Sequence, residues 1–276
     1  MNRNLKECFR YIEKDNQSGF RRFTLKTRAV WRRHVLRQVE IPYVEIIVTT
    51  YCNLKCKHCS QMIPYQKAPC NYSFDYFKKC LDSLLQNVKF IYRLRIHGGE
   101  PFLNSDLAKM IYYADSQKKV GSIRITTNGT VIPKEDVLQA LASTRTVVKI
   151  SDYNINPQKQ REVLETFDQY GIKYVRMDGQ VWKQFGGFEE RDKSRFNDCF
   201  LNRCACVLDG KMYVCARAAM AEKLQILIDK DAVNVVDNPS LKKHLIDFYN
   251  KEDMDICSYC DGDTGYSAVI SAGEQL

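Results

Sequence analysis

The chain has 276 residues, 45% hydrophobic and 27% charged, with only 13 Gly and 7 Pro, a globular composition that excludes collagen-like, mucin-like and broadly disordered chains. No apolar run reaches the roughly 20 residues of a membrane-spanning helix, and MNRNLKECF lacks the apolar stretch of a secretory signal, so the expected setting is the cytoplasm. There, twelve cysteines point to metal ligation and not to a disulfide framework, and the formal charge of +9 is unevenly placed.

Residues 1–43 read as a basic helical segment. Residues 1–40 hold eleven Lys and Arg against four Asp and Glu, so most of the net charge sits there. Leu5, Cys8, Phe9 and Ile12 fall at i, i+3, i+4 and i+7, and Phe20, Phe23, Val30, Trp31 and Val35 continue a looser apolar stripe between arginines. The pattern predicts an amphipathic helix docked on the domain with a solvated basic face. The alternative is a phosphate-contacting surface for a nucleotide-linked, lipid-linked or nucleic-acid partner.

Residues 44–181 alternate between two periods. Short β-branched runs at 44–50, 91–99, 122–130, 147–153 and 172–178 are separated by stretches of helical apolar spacing at 74–88, 106–117, 134–143 and 156–171. Repeated strand–helix units predict a parallel sheet with crossover helices and a ligand site at the C-terminal ends of the strands. Five strands are fewer than a complete eight-fold barrel requires. Residues 182–198 are polar and aperiodic, a linker. Six cysteines follow, and VLDGKMYV (207–214) predicts a hairpin turning at Asp209-Gly210. Residues 182–276 thus read as a linker and a small metal-stapled domain.

The chemistry-bearing residues gather in two groups. Cys52, Cys56 and Cys59 form C-x3-C-x2-C directly after the first strand. Soft thiolates suit iron–sulfur clusters, and three ligands for four irons leave one iron open to substrate or cosubstrate. A structural zinc loop completed by His58 or Cys70 is the alternative. One strand–helix unit later stands His97-Gly98-Gly99-Glu100-Pro101, at the end of the second strand. The second cysteine group is Cys199, Cys215, Cys257 and Cys260, with Cys204 and Cys206 in surplus. Cys8 and Cys80 lie on apolar helical faces and are expected as core thiols, with Cys70 structural too.

With C-x3-C-x2-C and GGEP in register, the sequence resembles the radical S-adenosylmethionine (radical SAM) superfamily, with His58 where that signature usually has an aromatic residue. The resemblance implies a partial (β/α)6-type parallel barrel, preceded by the helical segment and followed by the cysteine-rich β-hairpin and helix domain. It implies a [4Fe–4S] cluster on Cys52, Cys56 and Cys59. It also implies S-adenosylmethionine bound along Gly98, Gly99, Glu100 and Pro101, with the strand end and Glu100 taking the methionine amino group. Glycines suit a close approach of ligand to backbone. Ser151 resembles the family's ribose-contacting residue, Arg176 a carboxylate contact, and Thr127 with Asn128 a recurrent third-strand end; each is otherwise a turn or capping residue.

The second group resembles a twitch domain, a shortened relative of the SPASM domain, and implies an auxiliary [4Fe–4S] cluster ligated by Cys199, Cys215, Cys257 and Cys260. Cys204 or Cys206 is an alternative first ligand or a free thiol facing the site, and a zinc ribbon is the alternative to the cluster. The implied chemistry is one-electron cleavage of S-adenosylmethionine, driven by a flavodoxin or ferredoxin, to a 5′-deoxyadenosyl radical that abstracts hydrogen from substrate. The short arrangement resembles 2-deoxy-scyllo-inosamine dehydrogenases, and the CNLKCKHCS and ISDY wording resembles radical SAM proteins associated with bacterial surface polysaccharides. The expected substrate is therefore a small carbohydrate or cyclitol, with a phosphate-linked sugar in view. Oxidation of an alcohol is favoured, with Asp152, Tyr153 and Arg217 as candidate bases. Epimerisation comes second, with Cys204 and Cys206 as hydrogen-atom donors. The alternatives are a peptide- or protein-modifying maturase, a non-catalytic iron–sulfur carrier and an RNA-modifying enzyme.

Overall fold

The computed structural model describes residues 3–15, 18–179, 181–192 and 194–276. In chain order its elements are α1 (Arg3–Asp15), α2 (Gly19–His34), β1 (Glu40–Thr49), α3 (Phe74–Asn87), β2 (Phe90–Gly98), α4 (Leu107–Ser116), β3 (Val120–Thr127), α5 (Glu135–Ser143) and β4 (Thr146–Ser151). They continue with α6 (Pro157–Gln169), β5 (Tyr174–Met177), β6 (Val181–Lys183), β7 (Ala205–Leu208), β8 (Lys211–Tyr213), α7 (Ala216–Lys223), β9 (Val233–Asn234), α8 (Leu241–Asn250) and β10 (Val269–Ser271). Local chemistry sets several boundaries. Ser73 accepts the Tyr76 N–H ahead of α3, and Asn156 accepts the Lys159 N–H ahead of α6, where Pro157 takes the first turn.

The alternating strands and helices form one open sheet in the order β5-β4-β3-β2-β1-β7-β8-β9, with β1 to β5 parallel. The partial parallel barrel follows from that order. A period of two divides its strands. Val44, Ile46 and Val48, Leu94 and Ile96, Ile123 and Ile125, and Val148 and Ile150 are fully buried in one cluster with residues of α3 to α6. The other parity carries Tyr43, Glu45, Arg93, Arg95, His97, Arg124, Thr126 and Lys149, so the inner face of the barrel is polar and rich in cations.

The hairpin forms at its expected turn, where Asp209 (φ 49°) and Gly210 (φ 77°) are both left-handed. It is not set apart from the barrel sheet. β7 lies parallel to β1, with Val44 opposite Ala205 and Ile46 opposite Val207, and β7, β8, α7 and α8 share the barrel's core cluster. The segment read as an aperiodic linker begins with β6, which pairs antiparallel with β10.

The N-terminal segment differs from expectation in which face it buries. α2 packs on α1 through Ala29, which is 2% exposed, and Leu25. The stripe expected to dock faces solvent instead: Phe20 is 80% exposed, Phe23 64%, Trp31 54% and Val35 63%. Small Ala29 lets the two helix backbones approach, which the bulky stripe does not.

Candidate active site

The first thiol group stands where β1 ends. Cys52, Cys56 and Cys59 lie in a loop that the Gly98-Gly99-Glu100 backbone holds: the Gly99 N–H donates to the Thr49 carbonyl at 2.9 Å and the Glu100 N–H to the Tyr51 carbonyl at 2.8 Å. A Cβ on Gly98 would stand 2.2 Å from the Thr49 oxygen, and one on Gly99 2.1 Å from the Tyr51 oxygen. What demands glycine here is the approach of this chain's own cysteine loop. On its other side the Asn128 amide donates to Asn53 Oδ1 at 2.9 Å, and Asn53 donates to Thr130 Oγ1 at 2.7 Å.

A segment expected to belong with the second cysteine group completes the loop's surroundings. Residues 274–276 run alongside it: the Lys57 N–H donates to the Glu274 carbonyl at 2.8 Å, and the Leu276 N–H to the Lys55 carbonyl at 2.9 Å. The Gln275 amide donates to Cys56 Sγ at 3.2 Å, and the Leu54 N–H to Cys52 Sγ at 3.4 Å. Burial pushes the Cys52 thiol up to about 12 and raises those of Cys56 and Cys59, so ligation must displace protons. His58 Nε2 stands 3.7 Å from Glu274, and Cys70 pairs through its backbone with Thr50. Among the described residues, neither His58 nor Cys70 therefore has its side chain paired with a sulfur of Cys52, Cys56 or Cys59.

Glu100 is fully buried. Its Oε1 accepts the Phe102 N–H at 3.2 Å, and its Oε2 accepts the Thr127 hydroxyl and the Asn128 N–H, both at 2.9 Å. Burial raises its carboxyl to about 7 against these three donors. The carboxylate thus fastens the end of β2 to the end of β3, and both its oxygens are engaged within the chain. Ser151 is buried at the end of β4 beside the Tyr153 phenol. Arg176 donates to Asp152 Oδ2 from Nε at 3.0 Å and Nη2 at 2.6 Å, and its Nε also stands 2.6 Å from Asp178. Burial pushes the Asp152 carboxyl up, but the Asn154 N–H and the Arg176 fork outweigh it and hold the group below the usual carboxylate range. That makes Asp152 a weak proton acceptor.

The second group is assembled from three separate segments, around residues 199, 215 and 257–260. Cys199, Cys215, Cys257 and Cys260 line one cavity of about 40 Å³, with Phe185, Phe188 and Arg217 among its other walls. The Asp263 N–H points at Cys199 Sγ and the Gly262 N–H at Cys260 Sγ, both at 3.2 Å, while Cys215 caps α7 by accepting the Ala218 N–H at 3.5 Å. Cys204 and Cys206 are not among these walls. Cys206 is fully buried on β7 opposite Glu45, and Cys204 lies among Glu45, Arg95 and Arg203, its thiol raised by burial to about 12.

Phe185, Phe188 and Arg217 also wall a larger cavity of about 450 Å³, whose opposite side is Lys57, His58 and Cys59 of the first loop. Arg217 is 8% exposed, with its guanidinium 4.4 Å from the Phe188 ring centre and 5.1 Å from that of Phe185, and it donates to the Gly186 carbonyl at 2.7 Å. Its buried Nε has no hydrogen-bond partner among the described residues. Asp152, Tyr153, Cys204 and Cys206 do not line this cavity; Arg217 does.

Around His97 the barrel's inner face supplies Glu45, Arg95 and Gln61, which the sequence reading did not single out. Glu45 accepts from Arg95 Nη1 at 3.1 Å and pairs with His97 Nδ1 at 2.8 Å, and the Gln61 amide meets the same ring nitrogen at 2.7 Å. Burial raises the Glu45 carboxyl, but Arg95 and His97 pull it lower; burial and then Arg95 lower the His97 pKa. The signal was available, since Glu45 interrupts an otherwise apolar strand buried on both sides.

Comparison with known proteins agrees with this geometry. The family model described as the radical SAM superfamily matches residues 46–158. GTP 3′,8-cyclase of Clostridium acetobutylicum is 27% identical over 169 residues, 55% of this chain and 51% of its own length. That of Aliarcobacter butzleri is 32% identical over 98 residues, 34% of this chain and 29% of its own. The chain thus spans about half or less of the length of these relatives. In fold it is similar to BtrN, solved in complex with AdoMet and 2-DOIA, with a TM-score of 0.51, 15% identity, and coverage of 84% of this chain and 100% of that one.

Proposed function

We propose, for a chain that belongs to the radical SAM superfamily through residues 46–158, the abstraction of a hydrogen atom from a carbohydrate or cyclitol carrying an anionic group, with oxidation of an alcohol as the outcome. The observation that carries this reading is the cavity between Cys59 on one side and Arg217, Phe185 and Phe188 on the other, with four further thiols behind that wall. Four thiols around one void at the second group and three thiols in one loop at the first, with backbone and amide N–H groups directed at their sulfurs, suit iron–sulfur clusters at both groups. When bound, S-adenosylmethionine and a cluster on Cys52, Cys56 and Cys59 supply a 5′-deoxyadenosyl radical, and a cluster on Cys199, Cys215, Cys257 and Cys260 supplies an acceptor for one electron.

The rest falls to the chain's own residues. Gly98 and Gly99 let the cysteine loop close on the strand end, and Glu100 locks that end to Asn128. Phe185 and Phe188 give the cavity an apolar wall, which limits hydrogen-bonded water beside a radical. Arg217 places its cation in the cavity wall beside the two rings, where it orients an anionic substrate. Arg93, Arg95, Arg124 and Lys149 outnumber Glu45 on the inner face and favour an anionic substrate. A reducing flavodoxin or ferredoxin is the natural electron donor, which fits the cytoplasm.

Anaerobic turnover of phosphate-linked sugars and aminocyclitols in deuterated water tests the reading by mass spectrometry. Loss of two hydrogens alongside 5′-deoxyadenosine supports oxidation. Gain of one non-exchangeable deuterium replaces it with epimerisation. The second reading is cyclisation of a nucleotide, favoured by the names of the curated relatives; turnover of GTP, with no change in any sugar, would establish that reading instead.

A further inference from the structure

From α2 we infer an interaction surface independent of the reaction: its outward face is a docking site for an anionic phospholipid membrane surface. Phe20, Phe23, Thr27, Trp31 and Val35 follow one another at spacings of three and four, so they form a single stripe, about 20 Å long at 1.5 Å per residue. The stripe points away from Ala29, the buried contact with α1, and its large side chains are 54–80% exposed. Burying such side chains in water-free surroundings is favourable, and none of the described residues covers them.

The charges around the stripe identify what does. Residues 18–39 contain seven Lys and Arg and no carboxylate. Exposed Arg21 and Arg28 flank the stripe on one side, where Arg32 pairs with Glu40 at 2.7 Å. On the other side Lys26 pairs with Glu13 and half-buried Arg33 donates to Asn250, so Arg21 and Arg28 are the rim's free cations among the described residues. Between α2 and α8 runs a groove of about 830 Å³ lined by Arg33, His34, Arg37, Lys242 and Lys243 against one acid, Asp247. A stripe of Phe, Trp and Val rimmed by cations is the pattern of a helix that lies in the headgroup region, its apolar side chains among the acyl chains and its cations on the lipid phosphates. A second copy of the chain would set the same seven cations against themselves. A nucleic acid would take the cations but leave Val35 and the length of the stripe in water.

The test is flotation of the full chain with vesicles of phosphatidylglycerol and phosphatidylcholine, against vesicles of phosphatidylcholine alone. Binding is expected on the anionic vesicles only, weakened by salt, and weaker by about tenfold or more in Phe20→Ser/Trp31→Ser and in Arg21→Glu/Arg28→Glu. These positions are exposed, so the fold does not depend on them. The chain has two tryptophans, so Trp182→Phe leaves Trp31 as the sole reporter. Its emission should move to the blue on anionic vesicles and be quenched by brominated acyl chains. No flotation with an unmoved Trp31 emission overturns the proposal. So does a Trp31 response to transfer RNA but not to vesicles, or a dimer in sedimentation that Phe20→Ser/Trp31→Ser dissociates.

Discussion

Glu100 holds a fully buried carboxylate against three donors, and its protonation is linked to stability. Its carboxyl is raised from 4.5 to about 7, so the native chain keeps a proton that the unfolded chain has released. Stability from this group is therefore present below about pH 4.5 and lost as pH rises through about 7, by at most about 3 kcal/mol at 1.4 kcal/mol per unit. Anaerobic urea unfolding at about pH 5 and about pH 8 should show a larger loss for the parent than for Glu100→Gln, which has no such titration. Equal losses would show that the three donors keep the group ionised throughout. Gln275 acts on a different property. An N–H donated to a ligand sulfur stabilises the more negative, reduced state of a cluster. Gln275→Leu removes that donor from Cys56, and a redox titration should find a more negative midpoint with iron content retained; an unmoved midpoint would make Gln275 a structural contact only. The cysteine spacing was legible because its residues are neighbours in sequence. Gln275 was not, since it meets Cys56 across 219 residues and no local pattern marks it.

At the level of elements, strand–helix alternation gave the five parallel strands and their crossover helices because each carries its own period. The Asp209-Gly210 turn was equally local. It should also be sensitive: Gly210 sits at φ 77°, where Ala costs about 1–2 kcal/mol, so Gly210→Ala is expected to lower stability by that amount in denaturant unfolding. A smaller effect than about 0.5 kcal/mol would mean that the turn relaxes to another type. Pairings between very short strands were not legible. β6 and β10 are three residues each, too few for a period, and their register follows from where the chain returns. For α2 the period predicted a helix correctly but not its buried face. Apolarity marks the stripe of Phe20, Phe23 and Trp31, whereas close packing on α1 selects Ala29.

Across the whole molecule, residues 199–276 reach both thiol groups. They supply all four cysteines of the second and, through Glu274, Gln275 and Leu276, the flank of the first. The two groups share a wall, Phe185, Phe188 and Arg217, so a substrate in the larger cavity lies between them. If each group holds a four-iron cluster, the reconstituted chain carries roughly eight irons, and the groups separate by mutation. Cys257→Ser/Cys260→Ser should lose about half of the iron, keep cleavage of S-adenosylmethionine to 5′-deoxyadenosine, and lose the oxidised product, because the substrate radical then has no electron acceptor. Cys56→Ala should instead abolish 5′-deoxyadenosine while the second group keeps its iron. The pair of variants also decides the outcome of the reaction, since epimerisation returns a hydrogen atom to the radical and needs no acceptor. Unchanged iron in Cys257→Ser/Cys260→Ser would leave the second group without a cluster, and retained oxidation would place the acceptor elsewhere.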